Sequence, residues 1–298
     1  MNAKQWSVFI TLACLWGSSF LWIKIAVQES SPLTVVTLRL LTGLLATFVF
    51  FVRGKPETPS SLKMCSHLLI QGLIAMAIPW ILIFWAEQHI DSTVATVLNA
   101  TVPLFTILVA HVFLDDDRMT VRRVQGLLLG FFGVIVLVHD ELISSFSIAR
   151  EALCLMLLGH GALLLSSAFY GASNVYARAK FRGIPPILLT FYTMLLANIV
   201  MWPITLSIEI PFTLPARTIT WTAILWLGAL SSGLGWIIFY HLIHSLGPTR
   251  ASTITYLIPV IGVSLGIIFL GEGLDWSLIA GTILILSGIW FTNRRQNC

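Results

Sequence analysis

Several aromatic and polar side chains stand inside long apolar stretches of this 298-residue sequence, and their chemistry could serve a ligand. Trp16 and Ser19 are three positions apart, and Trp80 and Phe84 are four apart, so each pair shares one face of a helix. Asn99 lies well inside such a stretch, where an unpaired amide is costly. Indole, hydroxyl and amide groups on an otherwise apolar wall suit a small amphipathic or zwitterionic solute.

A second set of such residues lies about 155 positions later in the chain. It contains Tyr170, Asn174, Trp236, Tyr240 and Thr255. Trp236 and Tyr240 repeat the four-residue spacing of the first set. We predict that the two sets together line a substrate-binding cavity. Aromatic belts at the membrane interface and ordinary helix–helix contacts are the alternatives.

Two prolines occupy corresponding positions near these sets. Pro103 and Pro259 each stand within an apolar stretch. Proline removes one backbone hydrogen bond and kinks a helix. The pair could therefore act as hinges for gating, and static curvature is the alternative.

Arg39 is a basic residue about 10 Å inside an apolar stretch, at 1.5 Å per helical residue. A guanidinium there must snorkel to the surface or find a partner. Glu87 lies near the same level, as does Lys24, so an Arg39–Glu87 pair is possible. Structural pairing or snorkelling is the favoured interpretation, and a role in substrate binding is the alternative.

The elements that carry these residues are long apolar runs. Hydrophobic residues make up 57% of the chain and charged residues 10%, whereas a soluble domain carries about a quarter charged residues. A membrane helix needs about 20 mostly apolar residues, and the runs lack the alternation of β-barrel strands. We therefore predict an all-α integral membrane protein. Its ten transmembrane helices, numbered here as spans 1 to 10, are expected at residues 5–26, 33–52, 66–86, 92–114, 122–139, 152–177, 186–208, 219–243, 249–270 and 276–292.

The basic residues predict the orientation of these spans. Lys and Arg accumulate in cytoplasmic loops. With a cytoplasmic N-terminus, thirteen of the 17 Lys and Arg residues fall in cytoplasmic segments, two in opposite loops and two within spans. We expect both termini to be cytoplasmic and the protein to be multi-pass in the cytoplasmic (inner or plasma) membrane. The basic residues form no single patch, so the net charge of +4 does not indicate nucleic-acid binding.

The two halves of the chain are similar in sequence. An offset of 156 positions gives seven identities over residues 80–114, and nearly equal offsets extend the match upstream to residues 16–19 and downstream to Gly133. We therefore predict two repeats, at residues 1–146 and 147–298, with spans 1–5 and 6–10. Because five spans is an odd number, the second repeat enters the membrane from the opposite side. Inverted-topology repeats are common in secondary transporters.

One pattern in the sequence is compatible with an intramembrane serine protease. Gly171-Ala172-Ser173 and the distant His241 could supply a nucleophile and a base. Ser19, however, occupies the same place in the other repeat, which favours a lining or packing role for Ser173. The sequence also has no His-Glu-x-x-His zinc motif. We predict that the protein is not an enzyme.

The run Trp16-Gly17-Ser18-Ser19-Phe20 resembles the opening of an EamA-type repeat, as does Arg39 in span 2. The residues that resemble the second part of that repeat are Ala95, Asn99, Pro103, Leu114, Asp115, Asp116, Gly126 and Gly133 in the first copy and Ala251, Pro259, Leu270, Gly271, Glu272, Gly281 and Gly288 in the second. The copies differ where Thr193 replaces Arg39. The chain is thus similar to EamA-type members of the drug/metabolite transporter superfamily over nearly all its length.

This resemblance implies a secondary transporter that exports amino acids or related small metabolites. We expect alternating access at a central cavity between the repeats, lined by spans 1, 3, 4, 6, 8 and 9. A passive channel or facilitator for small polar solutes is the alternative. We expect no cofactor, no metal and no nucleic-acid partner; the expected partners are the solute and membrane lipid, and a monomer should suffice.

Overall fold

The computed structural model describes residues 3–54, 61–114, 119–144, 150–246, 254 and 257–293, and these are almost entirely helical. Helices satisfy their own backbone hydrogen bonds, as a lipid environment requires. Spans 1 to 10 contain, in order, the helices Ala3–Gly17 and Ser19–Ala26; Pro32–Gly54; Leu62–Gly72, Leu73–Ala77 and Ile78–Ala86; Ser92–Asn99 and Val102–Phe113; Val121–Ser144; Arg150–Lys180; Pro186–Ile208; Thr218–Leu225, Trp226–Leu234 and Gly235–Leu246; Leu257–Leu265 and Gly266–Leu270; and Trp276–Asn293.

The lengths of the helices confirm the predicted membrane fold. Eight spans are long and apolar enough to cross a bilayer, and the other two form shorter apolar helices, Leu257–Leu270 and Trp276–Phe291. The ninth was expected to begin at residue 249, but residues 247–253 and 255–256 lie outside the described part of the chain. The structure therefore has the predicted all-α architecture of about ten helices.

Helices of the two halves of the chain interleave. Span 2 packs on span 8, and span 7 packs on span 3. Span 6 packs on spans 3 and 4, and span 1 packs on spans 8 and 9. Spans 1 to 5 correspond in order to spans 6 to 10. The contact of span 2 with span 8 therefore corresponds to that of span 7 with span 3, and the contacts of span 6 with spans 3 and 4 correspond to those of span 1 with spans 8 and 9. This exchange is the pattern expected of two related five-helix halves.

Spans 5 and 10 pack closely along their length, and glycine makes their approach possible. A Cβ atom on Gly288 would lie 2.5 Å from the carbonyl oxygen of Gly126 and 2.6 Å from the backbone nitrogen of Gly130. Backbone atoms cannot move aside as a flexible side chain can. Gly126, Gly130 and Gly133 form a stripe of small residues on span 5, and this stripe serves close helix packing within the chain.

Spans 1, 3, 4 and 8 depart from regular α-helix beside predicted cavity residues, span 1 at Ser18 between Trp16 and Ser19. Spans 3 and 8 each contain a π-helical segment, Leu73–Ala77 and Trp226–Leu234, at corresponding places in the two halves. Such segments are frequent at functional sites. Span 4 is interrupted just after Asn99, because Pro103 lacks the N–H that would bond the Asn99 carbonyl. Pro259 lies buried in the first helix of span 9.

Candidate functional site

Arg39 lies seven residues inside the helix Pro32–Gly54 and is the charged centre of the site. Its side chain is 6% exposed, and its Nε donates to Ser232 Oγ at 2.8 Å. Its Cζ lies 3.9 Å from the centroid of the Trp80 ring and 5.6 Å from that of Phe84. Aromatic faces attract a guanidinium, and Trp does so most strongly. The predicted lining residues Trp80 and Phe84 therefore surround a buried positive charge.

Tyr170 brings the second half of the chain to the same place. Its hydroxyl interacts with Trp80 and lies within electrostatic range of Arg39. Glu87 is also within electrostatic range of Arg39, but neither of its carboxylate oxygens accepts a hydrogen bond from a described residue. The direct Arg39–Glu87 pair considered from the sequence is therefore not formed.

Four further predicted residues meet where span 1 packs on span 8. The Trp16 indole donates to the Ser231 carbonyl oxygen at 3.0 Å, and the Ser19 and Ser231 hydroxyls are 2.7 Å apart. The ring centroids of Trp16 and Trp236 are 5.7 Å apart, and those of Trp236 and Tyr240 are 5.5 Å apart. This group and the Arg39 group form one central cluster, whose members are Trp16, Ser19, Arg39, Trp80, Phe84, Tyr170, Ser231, Ser232, Trp236 and Tyr240.

Ser231 and Ser232 join the two groups, and sequence reasoning missed both. They lie in the π-helical segment of span 8. Gly228 allows that segment to approach span 2, since a Cβ atom there would lie 2.7 Å from the Arg39 carbonyl oxygen and 1.7 Å from Thr42 Oγ1. Two adjacent serines followed by glycine in an apolar run was the available signal.

The two predicted asparagines lie on spans 4 and 6. Asn99 Oδ1 is buried and has no hydrogen-bond partner among the described residues. Asn174 Nδ2 is 3.5 Å from Thr106 Oγ1, at the limit of a hydrogen bond. Neither amide bonds directly to the central cluster. The remaining predicted lining residue, Thr255, lies outside the described residues.

Comparison with known proteins shows the family of the chain. The sequence model of the EamA-like transporter family matches residues 5–139 and 157–294. The chain belongs to the EamA-like transporter family. Because the model matches twice, each half of the chain carries one copy of the family's sequence pattern.

Several relatives of this EamA-like transporter align over nearly their whole length. "Uncharacterized transporter YoaV" of Bacillus subtilis is 24% identical, with 94% of each chain covered. "Probable amino-acid metabolite efflux pump" of Salmonella typhimurium is 25% identical, with 97% of this chain and 95% of that one covered. "Probable terminal-alkyne amino-acid exporter" of Streptantibioticus cattleyicolor is 24% identical, with 99% and 95% covered.

A crystal structure of another protein shares the fold. It superposes with a TM-score of 0.70 at 18% sequence identity, over 98% of each chain. Together with the apolar helices and the family match, this makes the protein a multi-pass membrane transporter with a small-molecule substrate.

The serine–histidine alternative does not hold in this EamA-like transporter. Ser173 is buried and its Oγ donates to the Tyr170 carbonyl oxygen at 2.9 Å. The His241 side chain is exposed and does not bond to it. The protein is a transporter and not an enzyme, as predicted.

One end of the transporter is held by polar contacts between loops and helix ends. We call it the first-loop face. The Glu272 carboxylate accepts from the Ser92 and Thr93 amides, each at 2.8 Å, and so caps the first helix of span 4 from the other half. Lys24 Nζ donates to the carbonyl oxygens of Glu87 and Ile90 at 2.8 and 2.6 Å. The loops of this face whose residues are all described are 27–31, 87–91, 209–217 and 271–275.

Glu29 makes the reciprocal contact from the first half of the chain. Its carboxylate accepts from the Ala216 and Arg217 amides at 2.8 and 2.9 Å and from the Thr220 hydroxyl. The Thr220 hydrogen bond, with those two amides, lowers the pKa of the Glu29 carboxyl below its usual value despite partial burial. Glu29 thus caps the first helix of span 8 as an anion.

Proposed function

We propose that this transporter exports amino acids or related small metabolites by alternating access at the central cluster. The observation that carries the proposal is that polar and aromatic side chains of both halves meet there, inside the membrane-spanning bundle. Buried polar groups in membrane helices mark substrate pathways. The printed names of two relatives, an amino-acid metabolite efflux pump and an amino-acid exporter, support this substrate class.

The contacts at the first-loop face support a mechanism with alternating closed states. In the proposed orientation, with both termini cytoplasmic, this face is on the extracytoplasmic side of the cytoplasmic membrane. Glu29 and Glu272 link the two halves there through helix caps. We propose that these caps close the outer side while the solute enters from the cytoplasm, and that they open for release.

Two repeats, residues 1–146 and 147–298, would move against each other in this cycle. The break in span 4 that follows from Pro103, and the matching Pro259 in span 9, are the proposed hinges. Asn99 and Asn174 would then line the path beside the central cluster, as would Thr255. A monomer contains both repeats and would suffice.

Counterflow in proteoliposomes tests the proposal. The purified protein is reconstituted with unlabelled L-amino acids inside, and entry of the same amino acid in radiolabelled form is followed. We expect saturable uptake that is accelerated by the internal solute. Uptake that neither saturates nor responds to internal solute would instead support a passive channel.

A pair of tryptophan variants controls this experiment. Trp236→Ala alters the central cluster, and Trp276→Ala removes an indole that is 82% exposed. We expect counterflow to fall by about tenfold or more only in Trp236→Ala, as loss of a buried aromatic contact should cause. Equal loss in both variants would contradict the location of the site.

A further inference from the structure

Arg39 is a buried cation that the protein leaves without a counter-ion. Among the described residues, its guanidinium has one hydrogen-bond partner, Ser232 Oγ, and no carboxylate within ion-pair distance. A guanidinium carries five donors, so most of them face no acceptor of the described chain. A charge buried in this way is costly unless it is paired. The cation–π contact with Trp80 compensates only part of that cost.

The neighbouring charges do not supply the missing partner. Lys24 is a second cation nearby, and its ammonium bonds two backbone carbonyls. Glu272 is held by the helix that begins at Ser92. Glu87 lies within electrostatic range of both cations, but its buried oxygens bond to neither. Two carboxylates therefore lie near the two cations, but neither bonds to the guanidinium, so the remaining donors of Arg39 are available to an anion.

The shape of the site selects the kind of anion. Trp80 and Phe84 provide apolar walls at the guanidinium, and the Tyr170 hydroxyl lies close by. A planar fork of N–H donors matches a carboxylate through two parallel hydrogen bonds. We propose that Arg39 binds the carboxylate group of the transported solute, so that the transporter selects solutes with a free carboxylate.

This inference rests on the proposed function, and it also explains how binding could be sensed. Arg39 and Trp80 belong to the first half, and Ser232 and Tyr170 belong to the second. A carboxylate bound at Arg39 would therefore lie against both halves. Binding would neutralise the guanidinium and change the contacts that hold span 2 against span 8.

Matched solutes test the inference directly. The proteoliposome assay is run with a panel of L-amino acids, each beside its carboxamide and its decarboxylated amine, and with simple monocarboxylic acids. The analogues keep the side chain and remove the negative charge. We expect the half-saturating concentration of the acid to be about 10- to 100-fold lower than that of its carboxamide, as for loss of a hydrogen-bonded charge.

Variants then assign this preference to the guanidinium. Arg39→Gln should remove the preference for acid over carboxamide, and Arg39→Lys should restore only part of it because Lys lacks the fork. If Arg39→Gln fails to fold, Ser232→Ala takes its place in the test. It removes the oxygen that accepts from Arg39 Nε, and should reduce the preference for acid over carboxamide. Thr37→Val is the control. Thr37 lies on the same helix as Arg39, and the substitution breaks its buried hydroxyl pair with Thr205 of span 7, so it should leave the preference unchanged.

The possible results separate the two proposals. A carboxamide or amine that is transported as well as its acid overturns the role of Arg39 and leaves the transport proposal standing. An acid preference that survives in Arg39→Gln also overturns that role. A cooperative thermal transition shows that the protein is folded. If no carboxylate-bearing solute then shows counterflow, both proposals fail.

Discussion

Asn99 is a residue at which the proposed function would oppose stability. Its Oδ1 is buried without a partner among the described residues, and an unsatisfied buried acceptor costs about 1–3 kcal/mol. Its backbone carbonyl also loses the usual helical donor because residue 103 is proline. A group that the fold leaves unsatisfied can be satisfied by a solute.

Replacement of Asn99 should therefore separate stability from transport. We expect Asn99→Leu to raise the thermal midpoint in detergent by a few degrees, because it removes the unsatisfied amide, and to reduce counterflow by about tenfold. Asn198→Leu is the matched control, because Asn198 Oδ1 is also buried without a partner but lies on span 7, outside the predicted site. Asn198→Leu should stabilise the protein and retain transport. Full transport by Asn99→Leu would remove this residue from the pathway.

Residue types alone predicted part of the central cluster. The aromatic pairs Trp80/Phe84 and Trp236/Tyr240 were found from helical spacing, and both lie in the cluster. For Arg39, the sequence favoured pairing or snorkelling. Its actual contact with Ser232 was not predicted, because it joins residues 193 positions apart. No local pattern reports such a contact.

At the scale of elements, two features distinguish the helices of this transporter: irregular segments beside the central cluster, and the close packing of spans 5 and 10. The π-helical segment of span 8 supplies both serines of the cluster, and apolar periodicity gives no sign of a π-helix. The span limits, by contrast, follow from run length, and the break after Asn99 follows from Pro103. The close pair of spans 5 and 10 follows from their glycines.

Two glycine variants test the packing of spans 5 and 10. A Cβ atom at Gly288 would lie 2.5 Å from a backbone oxygen, so we expect Gly288→Ala to lower the free energy of unfolding by about 1–3 kcal/mol. At Gly161 nothing lies within 4 Å of the added atom, and alanine favours a helix by about 1 kcal/mol. Gly161→Ala should therefore be neutral or stabilising. Thermal unfolding in detergent measures both, and equal midpoints would show that the two helices do not approach so closely.

For the whole molecule, the family model matches each half of the chain and the helix contacts of one half have counterparts in the other, while the two repeats at residues 1–146 and 147–298 stay a prediction. The caps that link the halves at the first-loop face could not be predicted. Glu29 and Glu272 are loop residues, and their partners lie 187 and 180 positions away. Loop carboxylates carry no sequence signal for the helix end they will cap.

Acid should weaken the first-loop face through Glu29. Its pKa is lowered in the folded protein, chiefly by the Thr220 hydrogen bond, so its cap contributes fully above the unfolded carboxyl pKa of about 4.3. The contribution is lost as pH falls through the lower folded pKa. Thermal midpoints of the wild type and Glu29→Gln should therefore differ at neutral pH and converge in acid.

The control for this comparison is Glu151→Gln, because the Glu151 side chain is exposed and bonds to no described residue. It should track the wild type at every pH. A difference between wild type and Glu29→Gln that stays constant from neutral to acidic pH would mean that the carboxylate is not what holds span 8. Convergence would instead identify an ionised cap between the two halves, on the face where we expect the solute to leave.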